Sequence, residues 1–216
     1  MNILILAAGK GTRMKSALPK VLHAVGGQSM LSRVLDTSSQ FADPNIVVVV
    51  GHGAEEVRRH LSDREAIRFA LQSEQLGTGH AVRCAIDSLA DHPVTLILYG
   101  DVPLIQFESL QPLVQAALQG QVGLLTLSMA NPQGYGRILR DAEGAEGLDL
   151  RIAEQVLGGA IAHCQRRVPE QLVVVGKAAA HAGHGVADGV GVLPVRQEQH
   201  RQEVAQHAVD GRGQAH

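Results

Sequence analysis

The sequence has no tryptophan, only five aromatic residues in 216 positions, and no apolar run near the roughly 18 residues that a membrane-spanning helix needs. A membrane partner is therefore not expected. An excess of one charge is missing too: 19 basic against 21 acidic residues leave a net charge of −2. No whole-chain basic field exists to neutralise nucleic-acid phosphates, so a nucleic-acid partner is not expected either. The only two cysteines, Cys84 and Cys164, lie far apart with no CxxC, which fits a reducing, cytoplasmic setting better than a disulfide framework. The opening segment Met1 to Gly9 lacks the basic start of a signal peptide and reads as a first strand.

A further absence is local. All ten serines, all five threonines and all five aromatics fall before residue 142, and the last 75 residues hold none of them. At ordinary usage that stretch would carry roughly eight hydroxyl residues. It also lacks Asn and Met, but holds thirteen Ala, eleven Gly, eleven Val and six of the eleven His. Such a bias points to an out-of-frame reading of a G/C-rich gene, with a genuine Ala/Gly-rich tail as the alternative. The expected division is a nucleotide-binding domain over 1–141 and a low-complexity, poorly ordered tail over 142–216, in which Leu172 to Gly176 is the one strand-like run.

Within the first 141 residues, short apolar runs at Ile3–Leu6, Ile46–Val50, Ile67–Leu71, Val94–Tyr99 and Val122–Leu127 are bounded by Gly, Pro, Asn or Asp and read as buried strands. Helical periods separate them: Met30, Leu31, Val34 and Leu35 behind the cap Ser29; Ala81, Val82, Ala85, Ile86 and Leu89; then Leu110, Leu113, Val114, Ala117 and Leu118, stopped by Gly120. Alternation of strand and helix predicts an α/β fold, Rossmann-like, with a mostly parallel sheet covered by helices on both faces. In such sheets ligands bind outside the carboxyl ends of the strands. Chemistry is therefore sought in the loops that follow strands.

The first such loop, Gly9-Lys10-Gly11-Thr12-Arg13-Met14-Lys15, combines glycines that let backbone N–H groups approach an anion with three cations. Phosphate is its natural guest. The spacing is neither a Walker A loop nor a dinucleotide fingerprint, and the plain alternative is a turn with solvated lysines. Lys20, behind the rigid Pro19, is placed to aim another cation at this loop or to stand ahead of a helix. Tyr99-Gly100-Asp101 ends the fourth strand, where Asp101 offers a hard carboxylate suited to Mg²⁺ beside phosphates, or a turn. Gly51-His52-Gly53 and Gln75-Leu76-Gly77-Thr78-Gly79-His80 are further glycine-rich loops, with His52 and His80 most simply read as helix-start residues. His163, Cys164, His181 and His184 lack the spacing of a zinc site.

Taken together, LAAGKGTRM, LPKVL, GHG, EQLGTGHA, YGDVPL and NPQGYGRILRD resemble, in order and spacing, the N-terminal uridyltransferase domain of the bacterial bifunctional N-acetylglucosamine-1-phosphate uridyltransferase and glucosamine-1-phosphate acetyltransferase family. The resemblance implies a nucleotide-diphospho-sugar transferase fold. It implies Mg²⁺ as cofactor, and UTP and N-acetylglucosamine 1-phosphate as partners giving UDP-N-acetylglucosamine for peptidoglycan and lipopolysaccharide synthesis. Carried over by motif, the nucleotide cradle falls on Leu6, Ala7, Ala8 and Gly9, a catalytic arginine on Arg13, and a phosphate-binding lysine on Lys20. Uracil and ribose contacts fall on Gln72, Gly77 and Thr78, the Tyr-Gly-Asp motif on Tyr99, Gly100 and Asp101, and a sugar-side glycine on Gly136. Asp101 becomes the first metal ligand. After Asp141 the family's glutamate, Asn-Thr-Gly and metal-binding asparagine segments are not readable, and no hexapeptide β-helix follows. Acetyl transfer and trimerisation are accordingly not expected. Two rivals stand beside this reading: another nucleotidyltransferase of the same fold, such as a molybdenum-cofactor guanylyltransferase-like protein, or a non-catalytic nucleotide-binding remnant.

Overall fold

The computed structural model describes residues 1–128 and the strands at 136–137, 171–180 and 191–194. The Arg13 side chain, Gly134 and Tyr135, the histidines and cysteine weighed for zinc, and most of 142–216 lie outside the described part.

Strand β1 (Asn2–Leu6) is followed by two 3₁₀ turns, Thr12–Met14 and Lys20–Leu22, and the small hairpin β2 (Ala24–Val25) and β3 (Gln28–Ser29). Next come α1 (Met30–Ser38), β4 (Asn45–Val50), α2 (Ala54–His60), β5 (Ile67–Leu71), α3 (Thr78–Ala85), β6 (Val94–Tyr99), α4 (Phe107–Leu118) and β7 (Gln121–Ser128). The remaining strands are β8 (Gly136–Arg137), β9 (Gln171–Ala180) and β10 (Gly191–Pro194). The main sheet runs β10-β7-β9-β6-β1-β4-β5, with β8 paired to β9 off this path. All its pairings are parallel except β10 with β7. β9, which contains the strand-like run Leu172 to Gly176, lies between β6 and β7.

Alternation along β1, β4 and β6 explains why these central strands read as continuous apolar runs: both of their faces are buried. Ile3, Ile5 and Ala7 of the first strand and its extension pack with Val48, Val50, Leu96 and Leu98 against α1, α2 and α4, through Leu31, Val34, Leu35, Val57, Leu110 and Leu113. Leu4 and Ala8 turn the other way and join Val47, Val49 and Ile97 under α3, through Ala81, Val82 and Ala85. Burying each of the Val, Leu and Ile side chains among these stabilises the fold by about 1.5–3 kcal/mol. Ser29 caps α1 as its sequence position predicts, its hydroxyl accepting from the Ser32 N–H. Gly120, at φ 77°, follows α4 as the expected stop.

Polar groups fix the amino ends of the central strands. Asn2 is fully buried; its amide donates to the Ala90 carbonyl (3.0 Å), and its oxygen accepts from the Ala90 N–H (2.9 Å) and the Asn45 amide (2.8 Å). At the opposite end β1 pairs with β4 on one side and β6 on the other, in matched register from Asn2 to Leu6. The chain therefore leaves β1 toward one flank and returns on the other, which opens a crevice at the carboxyl end of β1.

Candidate active site

Four chain segments, following β1, β4, β5 and β6, border that crevice. The strand hydrogen bonding of β1 continues past Leu6, since the Ala7 N–H donates to Val49 (2.9 Å) and the Ala8 carbonyl accepts from His52 (3.3 Å). Ala7 and Ala8 are thus buried, whereas Gly9 and Lys10 emerge into solvent. The chain then turns through Gly11 at φ 59°, a left-handed conformation that L side chains adopt at a cost. A Cβ at Gly11 would also lie 2.6 Å from Lys20 Cβ. The phosphate-loop candidate and the LPKVL lysine are therefore packed directly on one another. Arg13 sits in the single 3₁₀ turn that follows, with its side chain outside the described part.

Pro19 is buried against the second loop. Gly53, at φ 69°, leaves room there: a Cβ would meet Pro19 Cγ at 2.3 Å. The proline ring thereby fixes the start of the Lys20 turn. Lys20 Nζ donates to Asp101 Oδ2 at 2.7 Å, 81 positions away in the chain. Asp101 follows β6 by way of Gly100, whose N–H donates to the Leu6 carbonyl at 2.9 Å. Val21, Leu31 and that carbonyl leave Gly100 almost no space for a side chain, at 3.2–3.3 Å from a hypothetical Cβ. The Tyr-Gly-Asp motif is thus seated beside the end of β1, with its carboxylate turned to the lysine.

The third loop extends from β5 into α3. Gln72 continues the sheet, its N–H donating to the Val50 carbonyl at 2.8 Å, and its side chain is only 3% exposed. Gln72 Nε2 donates to the Gly77 carbonyl (3.1 Å) and lies 3.2 Å from His80 Nδ1, while His80 Nε2 lies 3.6 Å from Cys84 Sγ. Burial raises the phenol pKa of Tyr99 above its ordinary value; a hydrogen bond with Thr78 opposes the shift, and the nearby Asp101 charge adds to it. That bond links the end of β6 to the first residue of α3.

The structure therefore brings together Leu6, Ala7, Ala8, Gly9, Lys20, Gln72, Gly77, Thr78, Tyr99, Gly100 and Asp101 at one edge of the sheet. Gly136 belongs to β8, paired with Ala178 of β9. Because Val174 of β9 is in register with Ile97, Ala178 stands four residues further in the direction that leads from Ile97 to Asp101. Gly136 accordingly occupies the same end of the sheet. The Lys20–Asp101 contact and the roles of His80 and Cys84 are features that motif spacing did not reveal.

As a metal ligand Asp101 stands apart: among the described residues no group of three or more His, Cys, Asp or Glu could hold an ion. One hard carboxylate beside a cation suits a divalent ion that keeps its waters and arrives with phosphate oxygens, not one caged by protein. Among the described residues no helix is long and apolar enough to cross a membrane.

A cation-bearing glycine loop, a lysine–carboxylate pair and a buried amide along the carboxyl edge of a parallel sheet are the equipment of a nucleotidyltransferase. The chain belongs to the MobA-like NTP transferase domain family, which matches residues 3–141. It is 56% identical over 155 residues to the bifunctional protein GlmU of Cupriavidus metallidurans, a match covering 72% of this chain and 33% of that protein. The matched stretch is similar to the N-terminal uridyltransferase domain of the GlmU proteins, and the chain spans about a third of the length of those relatives. Among solved structures it resembles UDP-glucose pyrophosphorylase complexed with UDP-glucose (TM-score 0.52, 16% identity, 65% of this chain and 62% of that one). It also resembles a Mycobacterium tuberculosis protein in complex with manganese (TM-score 0.51, 16% identity, 83% and 89%). These two likenesses concern the fold.

Proposed function

We propose that this chain is a uridylyltransferase domain that joins UTP and N-acetylglucosamine 1-phosphate into UDP-N-acetylglucosamine and pyrophosphate. The observation that carries this reading is the pairing of Lys20 with Asp101 beside the glycine-rich first loop. The similarity to GlmU proteins supports uridine nucleotide over the guanine nucleotide of the rival assignment.

The reaction needs no protein nucleophile. A phosphate oxygen of the sugar phosphate attacks the α-phosphorus of UTP, and the bond from that phosphorus to the β-phosphate bridging oxygen breaks as pyrophosphate leaves. The protein contributes position and charge. Backbone groups of Leu6 to Gly9 border the nucleotide. Lys20 and, by resemblance, Arg13 offset the charge that accumulates on the departing pyrophosphate. Gln72, Gly77 and Thr78 border the base and ribose, and Gly136 lies on the sugar side. Mg²⁺ is the cofactor this reading assigns to Asp101; when bound it neutralises charge on the nucleotide phosphates. Lys20 commits one of its three N–H donors to Asp101, which leaves the others for phosphate.

The test is formation of UDP-N-acetylglucosamine together with exchange of radiolabelled pyrophosphate into UTP. Product with both substrates supports the reading. UTP binding without product or exchange identifies the chain as a non-catalytic nucleotide-binding remnant, and binding of GTP but not UTP overturns the base assignment.

A further inference from the structure

Gln72 is the most deeply buried side-chain amide on the crevice edge, and its orientation is fixed by chemistry. The group 3.1 Å from it is the Gly77 carbonyl oxygen, which can only accept, so the amide end facing Gly77 is the nitrogen. That carbonyl also accepts from the Ala81 N–H (3.2 Å) as the first helical bond of α3, so its place is set by the helix. Gln72 Nε2 has no lone pair to offer. At 3.2 Å from it, His80 Nδ1 must therefore accept, and its ring proton resides on Nε2, 3.6 Å from Cys84 Sγ. Cys84, one helical turn beyond His80, stabilises that tautomer by accepting.

Both amide hydrogens of Gln72 are thereby engaged, one by Gly77 and one by His80. Among the described residues the only fully enclosed side-chain nitrogen or oxygen without a partner is His23 Nε2. Gln72 Oε1 accepts no hydrogen bond from the described residues and is not among the fully enclosed atoms, so it is the polar atom of this nearly buried side chain left for a ligand. A fixed acceptor stands at the carboxyl edge of β5.

We propose that His80 is a positioning residue for base selection: by accepting from Gln72 it keeps the amide oxygen outward, so the loop favours a pyrimidine with a ring N–H, as in uracil, over one with a bare ring nitrogen, as in cytosine. The inference rests on the uridylyltransferase reading and names what sets its base preference. An amide free to rotate would present its NH₂ to cytosine as readily as its oxygen to uracil. With Gly77 alone holding the nitrogen, one hydrogen bond opposes that rotation. His80 adds a second.

The experiment measures Kd of the full chain for UTP and for CTP in Mg²⁺ by calorimetry. His80→Leu, which removes the acceptor, is expected to lower the preference for UTP about three- to tenfold, the worth of one net hydrogen bond. His80→Asn, whose side-chain oxygen can accept from Gln72, is expected to restore most of it. A merely structural role would weaken both nucleotides alike, so an unchanged UTP-to-CTP ratio in His80→Leu, or failure of His80→Asn to restore a lost one, overturns the proposal. The unsubstituted chain provides a check that survives a misfolded variant: ¹⁵N shifts of His80 should show Nδ1 bare and Nε2 protonated at neutral pH, and the opposite tautomer refutes the mechanism. Failure of the unsubstituted chain to bind UTP would instead overturn the uridylyltransferase reading and take this inference with it. UTP binding with an unchanged ratio in His80→Leu would remove the inference alone.

Discussion

Replacing Gly53 by alanine tests how the second loop holds the lysine turn. Two penalties coincide at this residue. Its φ of 69° is left-handed, which costs a non-glycine residue about 1 kcal/mol. The new methyl would in addition lie 2.3 Å from Pro19 Cγ, far inside contact distance, and a proline ring cannot swing aside as a long side chain would. Overpacking of this kind adds about 1–3 kcal/mol. Gly27 supplies the internal control, because its φ is 82° but a Cβ there meets nothing within 4 Å. Gly27→Ala should therefore cost only the backbone part, about 1 kcal/mol, whereas Gly53→Ala should cost about 2–4 kcal/mol. For a chain of this size the larger figure corresponds to a fall of about 4–16 °C in Tm. Chemical denaturation of both variants measures the difference, and a cycle with Pro19→Ala isolates the steric share. Equal destabilisation by the two glycine substitutions, or no recovery in the Gly53→Ala, Pro19→Ala double variant, would refute the contact and with it the view that Pro19, seated on Gly53, fixes the start of the Lys20 turn.

Lys20→Met should change stability by less than about 1 kcal/mol, since its ion pair with Asp101 is open to solvent on the lysine side, yet weaken UTP binding at least about tenfold; comparing urea unfolding with calorimetric titration separates the two effects. Tyrosine ionisation, followed by absorbance near 295 nm against pH, should extend above the ordinary tyrosine value because of Tyr99. Burial raises the Tyr99 pKa in the folded chain, so the associated stability is intact below the ordinary tyrosine value and is lost as pH climbs through the raised one; a single transition of both tyrosines at the ordinary value would contradict this.

Strands β1, β4 and β6 were legible in the sequence because both of their faces are buried, so each reads as an unbroken apolar run, whereas β5, at the edge of the sheet, was legible from Ile67, Phe69, Ala70 and Leu71 although Arg68 and Leu71 are exposed. Helices α1, α3 and α4 were legible from an apolar stripe, and in α1 from the Ser29 cap as well. Helix α2 was not. It has seven residues, of which only Val57 is buried, and its start is set by the Gly53 turn with no side-chain cap. The loops at the carboxyl ends were found from composition, because glycine and cations before a helix have few structural uses. Their mutual contacts were hidden: Lys20 and Asp101 are 81 positions apart, and nothing along the chain ties one to the other. The partnership of His80 with Cys84 sits at helical spacing and was open to reading, but the partner that gives it meaning, Gln72, lies across a loop whose path the sequence does not encode by any period.

The position of β1 at the middle of the sheet bears on how the chain folds as it is made. Its first five strand residues leave the ribosome before either neighbour exists, and the pairing of Asn2 with Asn45 waits for 43 more residues, about 2–9 s at ordinary rates of synthesis. The other flank, where Asn2 meets Thr95, opens 93 positions on, about 5–19 s after Asn2 is added. During that interval Ile3, Leu4 and Ile5 form an unpaired apolar strand exposed to whatever surrounds the nascent chain. Helix α1, complete before β4, carries Leu31, Val34 and Leu35, the apolar groups best placed to shield one face of that strand until its partners arrive.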